Sequence, residues 1–253
     1  MSIKRNELQK YLNQLLSVEK FKDYCPNGLQ IEGGDTIKKI VCGVTSCQEL
    51  IDKAIELQAD AILVHHGFFW KGESYPLVGM KKRRIAALIK HDINLFVYHL
   101  PLDAHITFGN NAQLAKLLNL EVIDSLNTNS IPAHGIITRP QTEISPQQLN
   151  HKIKISLDRK PIHISSNKTN LKTIAICTGG AQGYITNAVE QGADAYISGE
   201  ISENTTHIAK ECNIDYFAAG HHATERYGIK SLGEHLEHKF NLNNTFIDID
   251  NPA

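Results

Sequence analysis

The sequence has no basic excess. Its 26 Lys and Arg stand against 27 Asp and Glu, for a net charge of −1. That removes any overall electrostatic drive toward nucleic acid or an anionic membrane and leaves only local patches to consider. No apolar run approaches the roughly 20 residues of a membrane span. The opening MSIKRNELQKYLNQLL is a charged amphipathic pattern, without the unbroken apolar stretch and small-residue cleavage site of a secretion signal. Cysteine is sparse and odd in number: Cys25, Cys42, Cys47, Cys177 and Cys212, none in a C-x-x-C pair. Such a set reads as free thiols in a reducing compartment, with Cys42 and Cys177 on buried strands. The expectation is a cytoplasmic protein with no membrane partner.

The chain is long enough, at 253 residues, for one large domain or two joined halves. Apolar spacing through Leu8, Tyr11, Leu12, Leu15 and Leu16 predicts a helix up to about Lys22. A turn-rich stretch, DYCPNGLQIEGG, follows. IKKIVCGVT then reads as a buried strand. SCQELIDKAIELQ reads as a helix with Ser46 as N-cap and Glu49 completing a capping box. ADAILVHH and INLFVYHL are strands, RRIAALIKHD and NNAQLAKLLNL helices. Alternating helices and near-continuous Val, Ile and Leu strands indicate an α/β fold with mostly parallel sheets covered by helices.

The signal weakens from Glu121 to Asn170. IPAHGIITRP suggests a strand, SPQQLNHKIKISL a helix after Ser145-Pro146, and HISSNKTN a loop. After Leu171 the alternation resumes with KTIAICTGG, YITNAVEQG, ADAYISGE, NTTHIAKECN, IDYFAAGHH, the long helix ATERYGIKSLGEHLEHKF and a last strand NTFIDID. Placing Ala54 on Ala188 without a gap aligns Glu56 with Glu190, Ala59 with Ala193, Asp60 with Asp194 and Ala61 with Ala195. The same register sets Ile40 on Ile174. The expected organisation is therefore an N-terminal half over 1–125, a connecting insertion over 126–170 and a related C-terminal half over 171–253, an internal duplication sharing one site.

Histidine is the abundant functional residue, thirteen in all, with two adjacent pairs. His65 and His66 follow AILV. His99 follows LFVY and precedes Asp103 and His105. His221 and His222 follow YFAAG, with Glu225 four residues beyond His221. In parallel sheets, ligands gather past the carboxyl ends of strands, and three strand ends here carry imidazole. Imidazole and carboxylate without thiolate suit Zn, Fe, Mn, Co or Ni. Six donors, His65, His66, His99, Asp103, His221 and Glu225, exceed one tetrahedral site and suit two divalent ions. His222 and His105 are candidates to move protons beside them, or to hydrogen-bond the ligands. His91, His134, His151, His163, His207, His235 and His238 fall on helical or loop stretches and read as surface or packing residues.

VHHG, YHLPLD and AGHHATE resemble the metal-site motifs of the NIF-three-like family, the GTP cyclohydrolase I type 2 homologues. DYCPNGLQIEG resembles that family's N-terminal motif, and the likeness runs to the closing IDIDNPA, closest to short bacterial forms without an inserted domain. The resemblance implies a dinuclear site with ligands at His65, His66 and Asp103 from the first half and His221 and Glu225 from the second, Glu225 bridging. His99 matches a further ligand of some members. It also implies a ring-shaped homohexamer.

Two divalent ions against Asp103 and Glu225 leave net positive charge, which would lower the pKa of a bound water. The activity implied by the resemblance is metal-dependent hydrolysis of GTP, with water attacking the purine ring and formate released. Other readings are a two-metal hydrolase of phosphoester or amide bonds, or a non-catalytic ring-shaped protein of DNA-damage tolerance or metal handling. No Walker A pattern is present. Gly179-Gly180 reads as a phosphate loop or a plain tight turn. Lys81-Lys82-Arg83-Arg84 would meet the phosphates of a nucleotide or nucleic acid, or form a solvated helix face.

Overall fold

The computed structural model of the chain describes residues 1–127 and 132–253. In chain order the elements are β1 (Ile3–Lys4), α1 (Arg5–Leu15), β2 (Gly28–Ile31), β3 (Thr36–Ile37), β4 (Lys39–Thr45), α2 (Gln48–Glu56), β5 (Ala61–His66), α3 (Gly79–Lys90), β6 (Asn94–Val97), α4 (Leu100–Asp103) and α5 (Asn110–Leu117). There follow β7 (Leu120–Leu126), β8 (Gly135–Pro140), α6 (Pro146–Leu157), β9 (Ile162–Ile164), β10 (Ile174–Ile176), α7 (Ile185–Glu190), β11 (Ala195–Ser198), α8 (Glu203–Glu211), β12 (Asp215–Ala218), α9 (His221–Phe240) and β13 (Asn243–Phe246). By packing, the chain divides into one unit of Met1–Leu102 with Ile229–Asp250 and a second of Asp103–Gly228 with Asn251–Ala253.

The first unit is built on a five-stranded sheet, ordered β13-β4-β5-β6-β2. Its four neighbouring strands β13, β4, β5 and β6 run parallel, and β2 closes the edge antiparallel to β6. Strands β4 and β5 are apolar almost throughout because both faces are covered; Ile40, Val41, Cys42, Ala61, Ile62, Leu63 and Val64 are all at most 1% exposed. Helix α2 packs Leu50, Ile51 and Ala54 into the same core as Val41, Ile62 and Val64. Its N-cap is Cys47, with no side-chain cap bond. The expected Ser46–Glu49 capping box is therefore absent: Ser46 is buried, and its N–H is drawn to the His66 carbonyl at 2.8 Å.

The second unit has a six-stranded sheet, ordered β7-β8-β10-β11-β12-β9. Only β10, β11 and β12 are parallel; β7, β8 and β9 pair antiparallel. The expectation of mostly parallel sheets thus holds for the first unit and gives way to a mixed sheet here. The physical reason is that the stretch 126–170, read as an insertion, supplies antiparallel strands that cover both sides of a parallel core. Ile131, the first residue of the expected IPAHGIITRP strand, lies outside the described residues, and β8 begins at Gly135. Ser145 does cap α6: it accepts from the Gln148 N–H, Gln148 returns the bond, and Pro146 occupies the first turn.

Other boundaries also differ. Helix α1 ends at Leu15 and a 3₁₀ turn covers Val18–Lys20. The turn-rich DYCPNGLQIEGG stretch contains β2, and the expected loop at HISSNKTN begins on β9. Helix α9 starts at His221 itself, and the last strand stops at Phe246.

Residues that the sequence register aligns make matching contacts in the two units. Asp60 accepts from the N–H groups of Lys38 and Lys39 at 2.7 and 2.8 Å, and Asp194 from those of Lys172 and Thr173 at 2.8 and 3.0 Å. Ile40 pairs with Ala61, and Ile174 with Ala195. Ala59 bonds back to Ala54, and Ala193 to Ala188. In both units a short acid pins the start of the first parallel strand while beginning the second.

Candidate metal centre

In the first unit, β5 and β6 deliver three imidazoles to one place. The ring centroids of His65 and His66 are 4.6 Å apart, those of His65 and His99 5.0 Å, and those of His66 and His99 5.7 Å. One ligating nitrogen from each lies within 4.8 Å of the other two. His65 is fully buried, the others partly so. Each ring is held through Nδ1. That of His65 is 2.9 Å from the Tyr98 carbonyl, that of His99 is 2.7 Å from Asp23 Oδ1, and that of His66 is 3.2 Å from the Thr45 hydroxyl. A carbonyl and a carboxylate only accept, so Nδ1 of His65 and of His99 bears a proton, and Nε2 is the nitrogen through which either ring, when neutral, would ligate. This is how outer partners set the tautomer of a metal-binding histidine.

Asp23 explains the DYCPNG motif. Its carboxylate accepts from His99 Nδ1, the Tyr24 N–H (2.6 Å), Asn27 Nδ2 (2.8 Å) and the Leu100 N–H (2.9 Å). Asn27 in turn accepts the His99 N–H at 2.7 Å. Burial alone would raise the Asp23 pKa, but the bonds and charge of His99, with Asn27 and Leu100, outweigh it and hold the group at about 2. Beside it, burial and the Asp23 charge push the Cys25 thiol up to about 12, which makes it a poor ligand and nucleophile.

In the second unit, His221 and Glu225 sit one turn apart at the start of α9, with His221 Nε2 3.2 Å from Glu225 Oε2. His221 Nδ1 is 2.6 Å from Glu200 Oε1. Burial lowers the His221 pKa, yet the two carboxylates more than compensate and raise it to about 9. Asp103, at the end of α4, is 9% exposed and accepts from Asn110 Nδ2 at 2.8 Å. Its carboxylate and that of Glu225, only 3% exposed, come within 4.8 Å of each other. Two buried carboxylates so close are costly unless positive charge or a proton accompanies them. Cys177 lies nearby, and burial with both these acids pushes its thiol well above the ordinary range.

The Gly179-Gly180 pair finds its reason here. Gly179 has φ +68°, and a Cβ on it would fall 2.0 Å from Glu225 Oε1. The backbone at this strand end approaches the carboxylate as only glycine permits, while its N–H reaches the Thr224 hydroxyl at 3.1 Å.

His65, His66 and His99 are thus brought together in one unit, and Asp103, His221 and Glu225 in the other. The two proton-transfer candidates differ in setting. His222 is 8% exposed, and its backbone N–H meets the Ala253 carbonyl at 3.3 Å. His105 stacks on Phe108, and its Nδ1 accepts from the N–H groups of Thr107 and Phe108, so that nitrogen shapes the local turn. Sequence reasoning missed Asp23 and Glu200. A signal for Glu200 existed: the repeat that sets Ala54 on Ala188 lays His65-His66 over Gly199-Glu200. Lys81, first of the basic run, is turned to Glu73 at 3.2 Å and to the Ser74 carbonyl at 3.1 Å, while Lys82 and Arg83 are exposed on α3.

These features define an α/β protein that presents imidazole and carboxylate groups at the carboxyl ends of its parallel strands. The chain belongs to the Duf34/NIF3 (NGG1p interacting factor 3) family, whose profile matches residues 3–252. It is 54% identical over 250 residues to a protein of Haemophilus influenzae named "GTP cyclohydrolase 1 type 2 homolog", covering 98% of each chain. It is 46% identical over 252 residues to one of the same name from Escherichia coli, covering 99% of this chain and all of that one. Among solved structures, a structural-genomics protein of unknown function superposes with a TM-score of 0.95 at 45% identity, covering 99% of this chain and 100% of its own. A Thermus thermophilus protein superposes at 0.91 and 32% identity, covering 99% and 100%. No helix among the described residues is long and apolar enough to cross a membrane.

Proposed function

We propose that the chain holds two divalent metal ions with His65, His66, His99, Asp103, His221 and Glu225, and acts as a hydrolase on GTP or a closely related nucleotide. The observation that carries the metal reading is the pair of buried carboxylates, Asp103 and Glu225, within 4.8 Å of each other. Such a pair calls for cationic charge, and His65 and His99, each holding an acceptor through Nδ1, would ligate through Nε2. The donor chemistry fits Zn, Fe, Mn, Co or Ni.

Bound there, divalent ions would supply Lewis acidity and bring a water's pKa toward neutrality. The chain's own residues would do the rest. Asp23 and Glu200 orient His99 and His221. His222 and His105 are the candidates to carry a proton to or from the substrate, His105 through Nε2 because Nδ1 is engaged. The relatives' printed name points to GTP, and purine-ring opening with formate release is the reaction that the family resemblance implies. The reading also takes the protein to be cytoplasmic and a homo-oligomer, a hexamer by its resemblance.

Elemental analysis after loading with Zn or Mn should give close to two ions per chain. The loaded protein is then incubated with a nucleotide panel and assayed for formate, phosphate and ring-opened product. Formate from GTP supports the reading. Phosphate or amide-bond products point to another two-metal hydrolase. Silence across the panel with metal retained points to a non-catalytic metal protein, and a chain that takes up no metal overturns the proposal.

A further inference from the structure

The loop after the His65–His66 pair is built at a cost. Phe69 has φ +66°, a conformation that a bulky side chain rarely adopts. The turn it makes carries Trp70, the chain's single tryptophan, back onto the imidazoles. The indole centroid is 5.0 Å from the His99 ring, with planes at 87°, and 5.9 Å from the His66 ring. Several bonds fix it there. Trp70 Nε1 donates to the Gly67 carbonyl at 3.2 Å, and its backbone N–H donates to Glu73 Oε2 at 3.1 Å. The Glu73 N–H returns to the Trp70 carbonyl at 2.9 Å, and the Lys71 N–H reaches the Tyr24 carbonyl at 2.7 Å, beside Asp23. Lys81 holds Glu73 and lies 5.0 Å over the Phe69 ring.

The indole so fixed is only partly buried, packed against the core on one side and against the imidazole cluster on another. A strained residue that serves to aim one half-buried aromatic at a donor cluster points to use rather than to stability. An indole neither ligates a metal nor brings charge. What it adds is an apolar π surface, against which a planar base stacks whatever its identity. A phosphate group would instead be met by Lys or Arg, and the lysine that anchors this loop, Lys81, is turned away to Glu73, Ser74 and Phe69.

We propose that Trp70 is a specificity-determining residue of this site: its indole is the wall beside His66 and His99 against which the planar ring of a heteroaromatic substrate lies. The proposal rests on the metal-site reading above and deepens it, since it puts the substrate's ring, and not its phosphates, next to these imidazoles.

Because the chain has one tryptophan, its emission reports this position alone. Full-length protein loaded with Zn, which is spectroscopically silent, is titrated with GTP and in parallel with inorganic triphosphate, which offers the phosphates without the ring. GTP should quench the emission saturably and triphosphate should not. By calorimetry, Trp70→Leu should bind GTP more weakly by on the order of 5- to 150-fold, the range that base–aromatic stacking covers. Trp70→Phe, which keeps a ring and safeguards the test should the leucine variant not fold, should lose less than about 5-fold. Zn content is measured on every sample. Zn retained with no GTP quenching, or with GTP affinity unchanged in Trp70→Leu, overturns this proposal and leaves the metal reading standing. GTP quenching in a chain that holds no Zn overturns the metal reading and leaves the stacking wall standing.

Discussion

Asp23 Oδ1 lies 2.7 Å from Nδ1 of His99, although 76 residues separate them in the chain. The carboxylate side chain is 3% exposed and the imidazole 14%, so the contact is shielded from solvent and fixes which ring nitrogen carries the proton. Asp23→Asn exchanges an anionic acceptor for an amide that can also present its NH₂. Metal affinity should fall by roughly 10- to 100-fold, with the far-UV circular dichroism unchanged. A competition titration against a zinc chelator reads the loss; unchanged affinity would show that Asp23 only ties down its own loop.

Gly179→Ala should be far more damaging than its size suggests. The new Cβ would need φ +68° and would stand 2.0 Å from Glu225 Oε1, so Glu225 must move. The expected cost is about 1–3 kcal/mol of stability, together with weaker metal binding. Gly183→Ala is the control, since a Cβ there meets nothing within 4 Å and needs no unusual φ. Thermal unfolding of the two variants side by side should separate them clearly, and equal melting temperatures would remove the close-approach argument.

Glu225→Gln removes negative charge from a pair of buried carboxylates that we assign to metal, as a bridging ligand on the family resemblance. Affinity should drop by at least about 10- to 100-fold. His222→Gln should instead keep the metal and lower any hydrolytic rate by roughly 100-fold. If His222→Gln strips the metal, the wrong member of the His221–His222 pair has been taken as the ligand.

Asp194 links acid stability to the fold of the second unit. Burial would raise its pKa, but Lys168, which it contacts closely, and the N–H groups of Lys172 and Thr173 together lower it. A carboxyl depressed in the folded state stabilises at pH values above its unfolded pKa of about 3.9. That contribution is lost as pH falls through the lower, folded value. Asp194→Asn should therefore cost stability at pH 7 and show a shallower loss between about pH 5 and the acid limit. Parallel acid-limb slopes for variant and parent would contradict this.

A fragment of residues 1–125 should not fold. It lacks β13, which pairs with β4 from Asn243 to Phe246, and the buried Leu232 and Leu236 of α9. Strand β4 would become an open apolar edge. Size-exclusion chromatography should find aggregate, and a monomer with protected amides would count against the packing described.

The parallel strands were legible because burial on both faces leaves them almost purely apolar, as in AILVHH and INLFVYHL. The donors were legible for a related reason, since each stands where such a run stops. The antiparallel edge strands β2 and β9 were not, being three or four residues long with no clear alternation. Ser46 was misjudged because a capping box is a local pattern, and here tertiary pairing claims the Ser46 N–H for the His66 carbonyl. Asp23 escaped notice because nothing local marks an acid whose partner is 76 residues away. Gly179 was ambiguous in sequence, since a phosphate loop, a tight turn and a close approach to a carboxylate all ask for the same residue.

The return of Ile229–Asp250 to the first unit sets a timetable for synthesis. Strand β4 ends at Thr45 and its neighbour β13 begins at Asn243. At about 5–20 residues per second, β4 emerges from the ribosome on the order of ten to forty seconds before the strand that covers its edge. The second unit is translated in that interval and can complete most of its sheet first. The nascent chain therefore passes through a stage in which one half is assembled and the other still offers an apolar strand to whatever is near. During that interval the uncovered edge of β4 is open to mispairing, and it closes only when Asn243–Phe246 arrives.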